Sequence, residues 1–216
     1  MNFSINEYLK PEGFNEQEDK IAIVINNFEL KKNPDWPFRY SEPYIVSMAI
    51  DQGGANNPAI DFNILPFPKV RKGDNVTFDG QGHLIYGPAN PGEFVVYTIL
   101  FMESDQDMRD LGQSIEDIIK SEALQSGMKD VLAANPTFST SAMLLLKLSE
   151  IIADRMKKNK DDELYRRNGT LLRDVEPPYD ISKTFEGEND FIKSRVSVVP
   201  LKAELAVEKN TKRIEL

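Results

Sequence analysis

Two hydrophobic rhythms divide the chain. From residue 21 to 102 apolar side chains alternate with polar ones or gather in short β-branched runs, the pattern of strands. Ile21-Ala22-Ile23-Val24-Ile25 opens a strand that reaches Leu30. Residues 44–51 form a second, closed by the breakers Gly53-Gly54 and Asn57-Pro58. Asp61-Phe62-Asn63-Ile64-Leu65 alternates as a half-buried strand does. Residues 76–78 and 83–86 flank Asp79-Gly80-Gln81-Gly82, which predicts a hairpin, and residues 87–92 predict another turn. Residues 93–102 are apolar almost throughout, which places that strand in the centre of a sheet.

Beyond residue 113 the spacing lengthens to three and four. Ser114, with Asp117 three residues on, predicts a capped helix start followed by Ile115, Ile118 and Ile119. Residues 139–158 predict a longer helix with Leu144, Leu145, Leu148, Ile151, Ile152 and Met156 on one face. Lys157-Lys158 fall in its last turn, where the macrodipole favours cations. That apolar face is expected to pack on the strands. After residue 160 strand patterning returns: Asn168-Gly169 predicts a hairpin turn and residues 191–199 a strand.

The expected architecture is one mostly-β domain, an antiparallel β-sandwich of about seven or eight strands. An arm occupies residues 1–20 and the sandwich 21–202, with an α-helical insertion at about 113–160, before the last strands. Residues 203–216 form a tail holding a last strand and a frayed end.

Composition narrows the function classes. The chain has 216 residues and a net charge of -9. Such a balance repels phosphate backbones and anionic lipid unless basic residues segregate into a patch or a cation bridges the two, so nucleic acid is not an expected partner. There is no cysteine, which excludes disulfides, thiolate metal sites and cysteine nucleophiles. The first residues lack the basic and apolar regions of a signal peptide, and no apolar run approaches the roughly 18 residues of a spanning helix. A cytoplasmic protein is the default expectation.

Candidate chemistry lies in two acidic turns. Ser41-Glu42-Pro43-Tyr44 leads into the second strand, and residues 105–112, Asp-Gln-Asp-Met-Arg-Asp-Leu-Gly, follow the apolar strand. Brought together, their carboxylates would suit a hard cation such as Ca²⁺. The alternative for Asp105, Asp107 and Asp110 is an exposed turn that caps the helix near Ser114. Lys69, Arg71 and Lys72 form a basic cluster that would touch an anionic partner or simply face water. The one histidine, His83, has no identifiable triad partner, and Gly80-Gln81-Gly82 lacks the strand–helix context of a dinucleotide loop.

The order of an opening strand, a Pro-containing loop, Ser-Glu-Pro-Tyr before a strand, and an apolar strand ending in Asp-x-Asp resembles the C2 domain. The likeness extends over about residues 20–112 and 185–200. It implies a C2-like sandwich whose loops bind Ca²⁺ and dock on acidic phospholipid. By that resemblance Glu42 stands where the family has Asp, Asp105 and Asp107 form the Asp-x-Asp pair, Asp110 is a third acid, and Asp35 serves as the first-loop acid. Gly112 matches the glycine that often opens the family's next strand. The expectation is a non-enzymatic interaction module that docks a protein or lipid partner, with membrane contact only through bridging Ca²⁺. The alternative is a component of a larger assembly, in which terminal extensions exchange between subunits.

Overall fold

The computed structural model describes residues 13–34, 37, 39–67, 69–80, 82–104, 110–125 (backbone alone for 123–125), 127–158, 160–203 and 211–216. The β-branched run at the start becomes β1 (Lys20–Leu30), followed by β2 (Pro43–Asp51), α1 (Gln52–Asn56), β3 (Ala59–Pro66), β4 (Asn75–Thr77), β5 (His83–Ala89) and β6 (Phe94–Glu103). Three helices come next: α2 (Leu111–Gln125), α3 (Met128–Ala134) and α4 (Phe138–Lys157). Then come β7 (Asp162–Leu172), β8 (Thr184–Glu188), β9 (Ile192–Leu201) and β10 (Lys212–Glu215).

The strands form two antiparallel sheets. The first runs β4-β1-β9-β8, with β5 also on β1; the second runs β10-β3-β2-β6-β7. Alternation sorts the side chains of the second sheet onto two cores. Ile45 and Ala49 of β2 and Val95, Tyr97, Ile99 and Phe101 of β6 meet Ile21, Ile23, Ile25, Val196 and Val198 of the first sheet. Val46, Met48 and Ile50, with Val96, Leu100 and Met102, face the opposite way and meet Ile115, Ile119, Leu144, Leu145, Leu148 and Ile152 of the helices. The result is three layers: sheet, sheet, helices. β2 and β6 are therefore buried at every position, the physical reason residues 93–102 carry almost no polar side chain. The expected packing of the long helix on the strands is observed, with Thr137 as its N-cap accepting from the Thr140 N–H at 3.3 Å.

Several local expectations are corrected. β4 and β5 do not form a hairpin: both pair with β1, β4 at Asn27–Glu29 and β5 at Ile21–Ile25, so they run end to end along one edge. Gly82, at φ +116°, presses against the Ile25 carbonyl, where a Cβ would lie 2.5 Å away; the glycine serves close approach to β1, not a tight turn. Asn168-Gly169 lies inside β7, opposite Thr98 and Tyr97. The Tyr97 ring occupies the space a Gly169 side chain would need, so a packing demand mimics a turn signal. The second strand does end at Asp51, before Gly53-Gly54, which sits within α1, capped by the Asp51 carboxylate. α2 begins at Leu111, which leaves Ser114 inside the helix, not at its cap. Among the described residues the strands number ten, including β8 and the edge strand β10.

The residues before β1 are tied to those that follow β9. Phe14 is buried, and the Asp19 carboxylate accepts from the Asn15 and Ala203 N–H groups, each at 2.9 Å, and from Lys202 at 3.2 Å. Those backbone donors, Asn15 first, hold the Asp19 carboxyl below the usual carboxylate range. Among the described residues no helix is long and apolar enough to cross a membrane.

Candidate functional site

The start of β2 and the end of β6 lie side by side. Pro43 pairs with Glu103, and the Ser104 N–H donates to the Glu42 carbonyl at 3.2 Å. The chain segments that lead into and out of the two acidic turns therefore emerge together at one pole of the second sheet. Glu42 is half-buried there, and its own N–H lies 3.4 Å from the Glu103 carboxylate. Asp110 stands exposed just before α2, whose Gly112 packs against Ile64 near the same pole. Asp35, Asp105 and Asp107 lie outside the described residues. Among the described residues no three His, Asp or Glu side chains converge to hold an ion.

Beneath the surface of the pole lies an arrangement that local sequence patterning did not indicate. Glu103 and Asp161 are 1% and 2% exposed. The Tyr44 hydroxyl, fully buried, donates to Asp161 Oδ2 at 2.7 Å. Burial, then the Asp161 carboxylate, pushes the Tyr44 phenol far above its ordinary value, with Glu103 adding to the effect. Tyr44 so remains a neutral donor that holds a buried carboxylate. Asp161 is placed by the end of α4, where its N–H reaches the Met156 carbonyl at 3.2 Å. No sequence signal joins Tyr44 to Asp161, because 117 residues separate them.

Beside the acids stands a cationic platform. Ser41 and Val70 exchange two backbone hydrogen bonds of 2.9 Å, which sets Tyr40 next to the basic run at Lys69 and Arg71. Arg71 donates to the Tyr40 hydroxyl at 2.6 Å, and its guanidinium lies 4.8 Å from that ring's centroid; Arg39 lies 5.7 Å away. Arg71, through its hydrogen bond and charge, with Arg39 and Lys69, draws the Tyr40 phenol below its ordinary value. Among the described residues no carboxylate forms an ion pair with Arg39, Lys69, Arg71 or Lys72. The basic cluster read from sequence is thus larger than its three residues and adjoins the acidic pole.

Other candidates have structural roles. His83 sits on β5, 3.1 Å from the Asn63 amide and against Phe78, and burial lowers its pKa. A cavity of about 410 Å³ lies on the outer face of the first sheet, lined by Asn27, Glu29, Asn75, Glu186, Lys193 and Arg195. Glu186 pairs there with Arg195 at 2.5 Å and Lys193 at 4.0 Å, a cross-strand ladder on a solvated face.

The chain matches no family model, no curated protein and no solved structure.

Proposed function

We propose that the protein is a non-enzymatic interaction module that works through this pole. Its acidic turns take up Ca²⁺, and the adjoining platform of Arg39, Tyr40, Lys69 and Arg71 receives an anionic group of a protein or lipid partner. The supporting observation is the convergence of Glu42 and Ser104, which brings the roots of both turns together beside a cluster of cations that, among the described residues, form no ion pair with a carboxylate. Ca²⁺ would neutralise the carboxylates and order the turns, removing the repulsion that a chain of net charge -9 offers an anion. The C2 resemblance stands behind the same reading and extends it to acidic phospholipid.

Thermal unfolding of chelator-stripped protein with millimolar Ca²⁺, and with Mg²⁺ as control, tests this. A ligand that binds only the folded state stabilises by about 2.7 kcal/mol at a hundredfold excess over Kd. A Ca²⁺-selective rise in Tm, absent from the Asp105→Asn/Asp107→Asn variant, is expected. An equal rise in that variant removes the proposed ligands, and no rise in the parent removes the cation.

A second reading, a component of a larger assembly, is favoured by β10. This short strand completes the far edge of the second sheet, although β9 before it belongs to the first.

A further inference from the structure

The edge of β3 is an acceptor groove for an extended strand, and its chemistry is legible because β10 occupies it. Four register pairs run antiparallel from Lys212 opposite Phe62 to Glu215 opposite Ala59. Ile214 is 2% exposed and enters the core between the second sheet and the helices, where Leu216 also packs. The Leu216 N–H donates to the Pro58 carbonyl at 3.0 Å. Lys212 pairs with Glu116 of α2, a buried carboxylate that Lys120 holds from the other side at 2.8 Å. Those two lysines, Lys120 first, draw the Glu116 carboxyl below its ordinary range, so the groove presents a fixed negative charge to the basic start of the strand. The groove reads a basic residue, then an apolar residue two positions on, then another two beyond it.

We infer that this groove takes β10 from a second copy of the chain, so that copies join by exchanging strands. The inference rests on the assembly reading and supplies its contact. Every copy carries both the groove and the strand that fits it, and an exchanged strand makes the same contacts it makes at home, so exchange forfeits none of them. Among the described residues the anchorage is small: four paired residues, the Leu216 N–H bond, two apolar side chains and one ion pair. Strands held so lightly detach in local openings far below global unfolding. An empty β3 edge would expose unpaired backbone groups beside Ile60 and Phe62, a surface that recruits another strand. Exchange of two chains is reciprocal and yields a two-fold dimer whose groove residues come from one copy and strand residues from the other.

The absence of cysteine makes the test direct. Ala59 and Glu215 are directly opposite in the register. Opposed strand residues have Cα separations that a disulfide accepts. Two single variants, Ala59→Cys and Glu215→Cys, are mixed at high concentration, oxidised, and read by non-reducing electrophoresis and mass spectrometry of linked peptides. Random encounter links cysteines without regard to partner, so exchange is read as a 59–215 link between different chains that dominates over 59–59 and 215–215 links and grows with protein concentration. The double variant, Ala59→Cys/Glu215→Cys, shows whether the pair can close: a 59–215 bond in it, with none between the mixed single variants, overturns the inference. If the double variant forms no such bond, Phe62→Cys and Lys212→Cys are read in the same way. Light scattering on the parent protein separates the two levels. Oligomers without the intermolecular link leave the assembly reading and remove exchange, whereas a monomer at every concentration removes exchange and self-assembly and leaves only assembly with other chains.

Discussion

β2 carries a tyrosine–carboxylate pair at each end, and the two pairs differ in what surrounds them. At its end Asp51 accepts from the Gly54 N–H at 2.6 Å with one oxygen and from the Tyr86 hydroxyl at 2.8 Å with the other. One carboxylate thus caps α1 and holds β5 against the second sheet, a use that structure alone explains. At its start the roles are reversed: Tyr44 is on the strand and Asp161 comes from beyond α4, with Glu103 close by and Glu42 above. Acids there accumulate beyond what capping requires. A buried carboxylate with both oxygens used in capping and bridging is a fastener, whereas the acids at the other end gather beneath the roots of the two turns, where the proposed binding would take place.

The largest effect should come from cutting the fastener. Asp51→Ala removes a cap, about 1 kcal/mol, and leaves a buried Tyr86 hydroxyl without this acceptor, about 1–3 kcal/mol more. A loss of about 2–4 kcal/mol in urea unfolding is expected; a loss under about 1 kcal/mol would mean that Asp51 holds nothing.

The comparison sharpens with the two phenols. Tyr44→Phe strips a buried carboxylate of a donor and should cost about 1.5–3 kcal/mol, whereas Tyr86→Phe leaves Asp51 its Gly54 N–H and should cost about 1 kcal/mol. Equal unfolding midpoints for the two variants would erase the distinction between the ends.

Alkali probes both ends at once. Burial and the neighbouring carboxylates raise the Tyr44 and Tyr86 phenols, and burial pushes Tyr179 up to about 12. Above about pH 10 unfolded tyrosines lose protons that the folded protein retains, so stability present below that pH declines as pH rises. The Tyr179 share should disappear between its ordinary value and about 12, and Tyr179→Phe should flatten that part of the pH–stability curve. A curve unchanged by that substitution would show that Tyr179 titrates normally.

The smallest effect sets the baseline away from both ends. Glu186→Ala breaks an exposed pairing with Arg195 and should change stability by less than about 1 kcal/mol. A larger loss would show that the ladder on the outer sheet face is structural in its own right.

Strand patterning made β1, β2, β3, β6 and β9 legible, and helical spacing made α4 legible, because each is long enough for its period to repeat. The two glycine misreadings share one cause. Gly82 and Gly169 are glycines because a carbonyl and a tyrosine ring lie where their side chains would be, and such neighbours leave no trace in adjacent residues. α3, seven residues long, and β8, five, are too short for a period to show. Of the site, Glu42, Asp110 and the basic run could be read directly, whereas Tyr44, Asp161, Glu103 and the part played by Arg39 and Tyr40 could not.

By itself the sequence determined the alternation that separates two strand faces, the helical stripe that must find an apolar partner, and the acidic excess that turns anions away. All of these follow from local periodicity and composition, which need no knowledge of distant contacts. Tertiary structure alone decided that β2 and β6 are covered on both sides, that β4 and β5 share one edge of β1, and that the two acidic turns spring from one pole. Those outcomes depend on which strands pair and in what register. Pairing is settled by packing among residues as distant in the chain as Asn26 and Ser197, 171 positions apart, where no local pattern reaches.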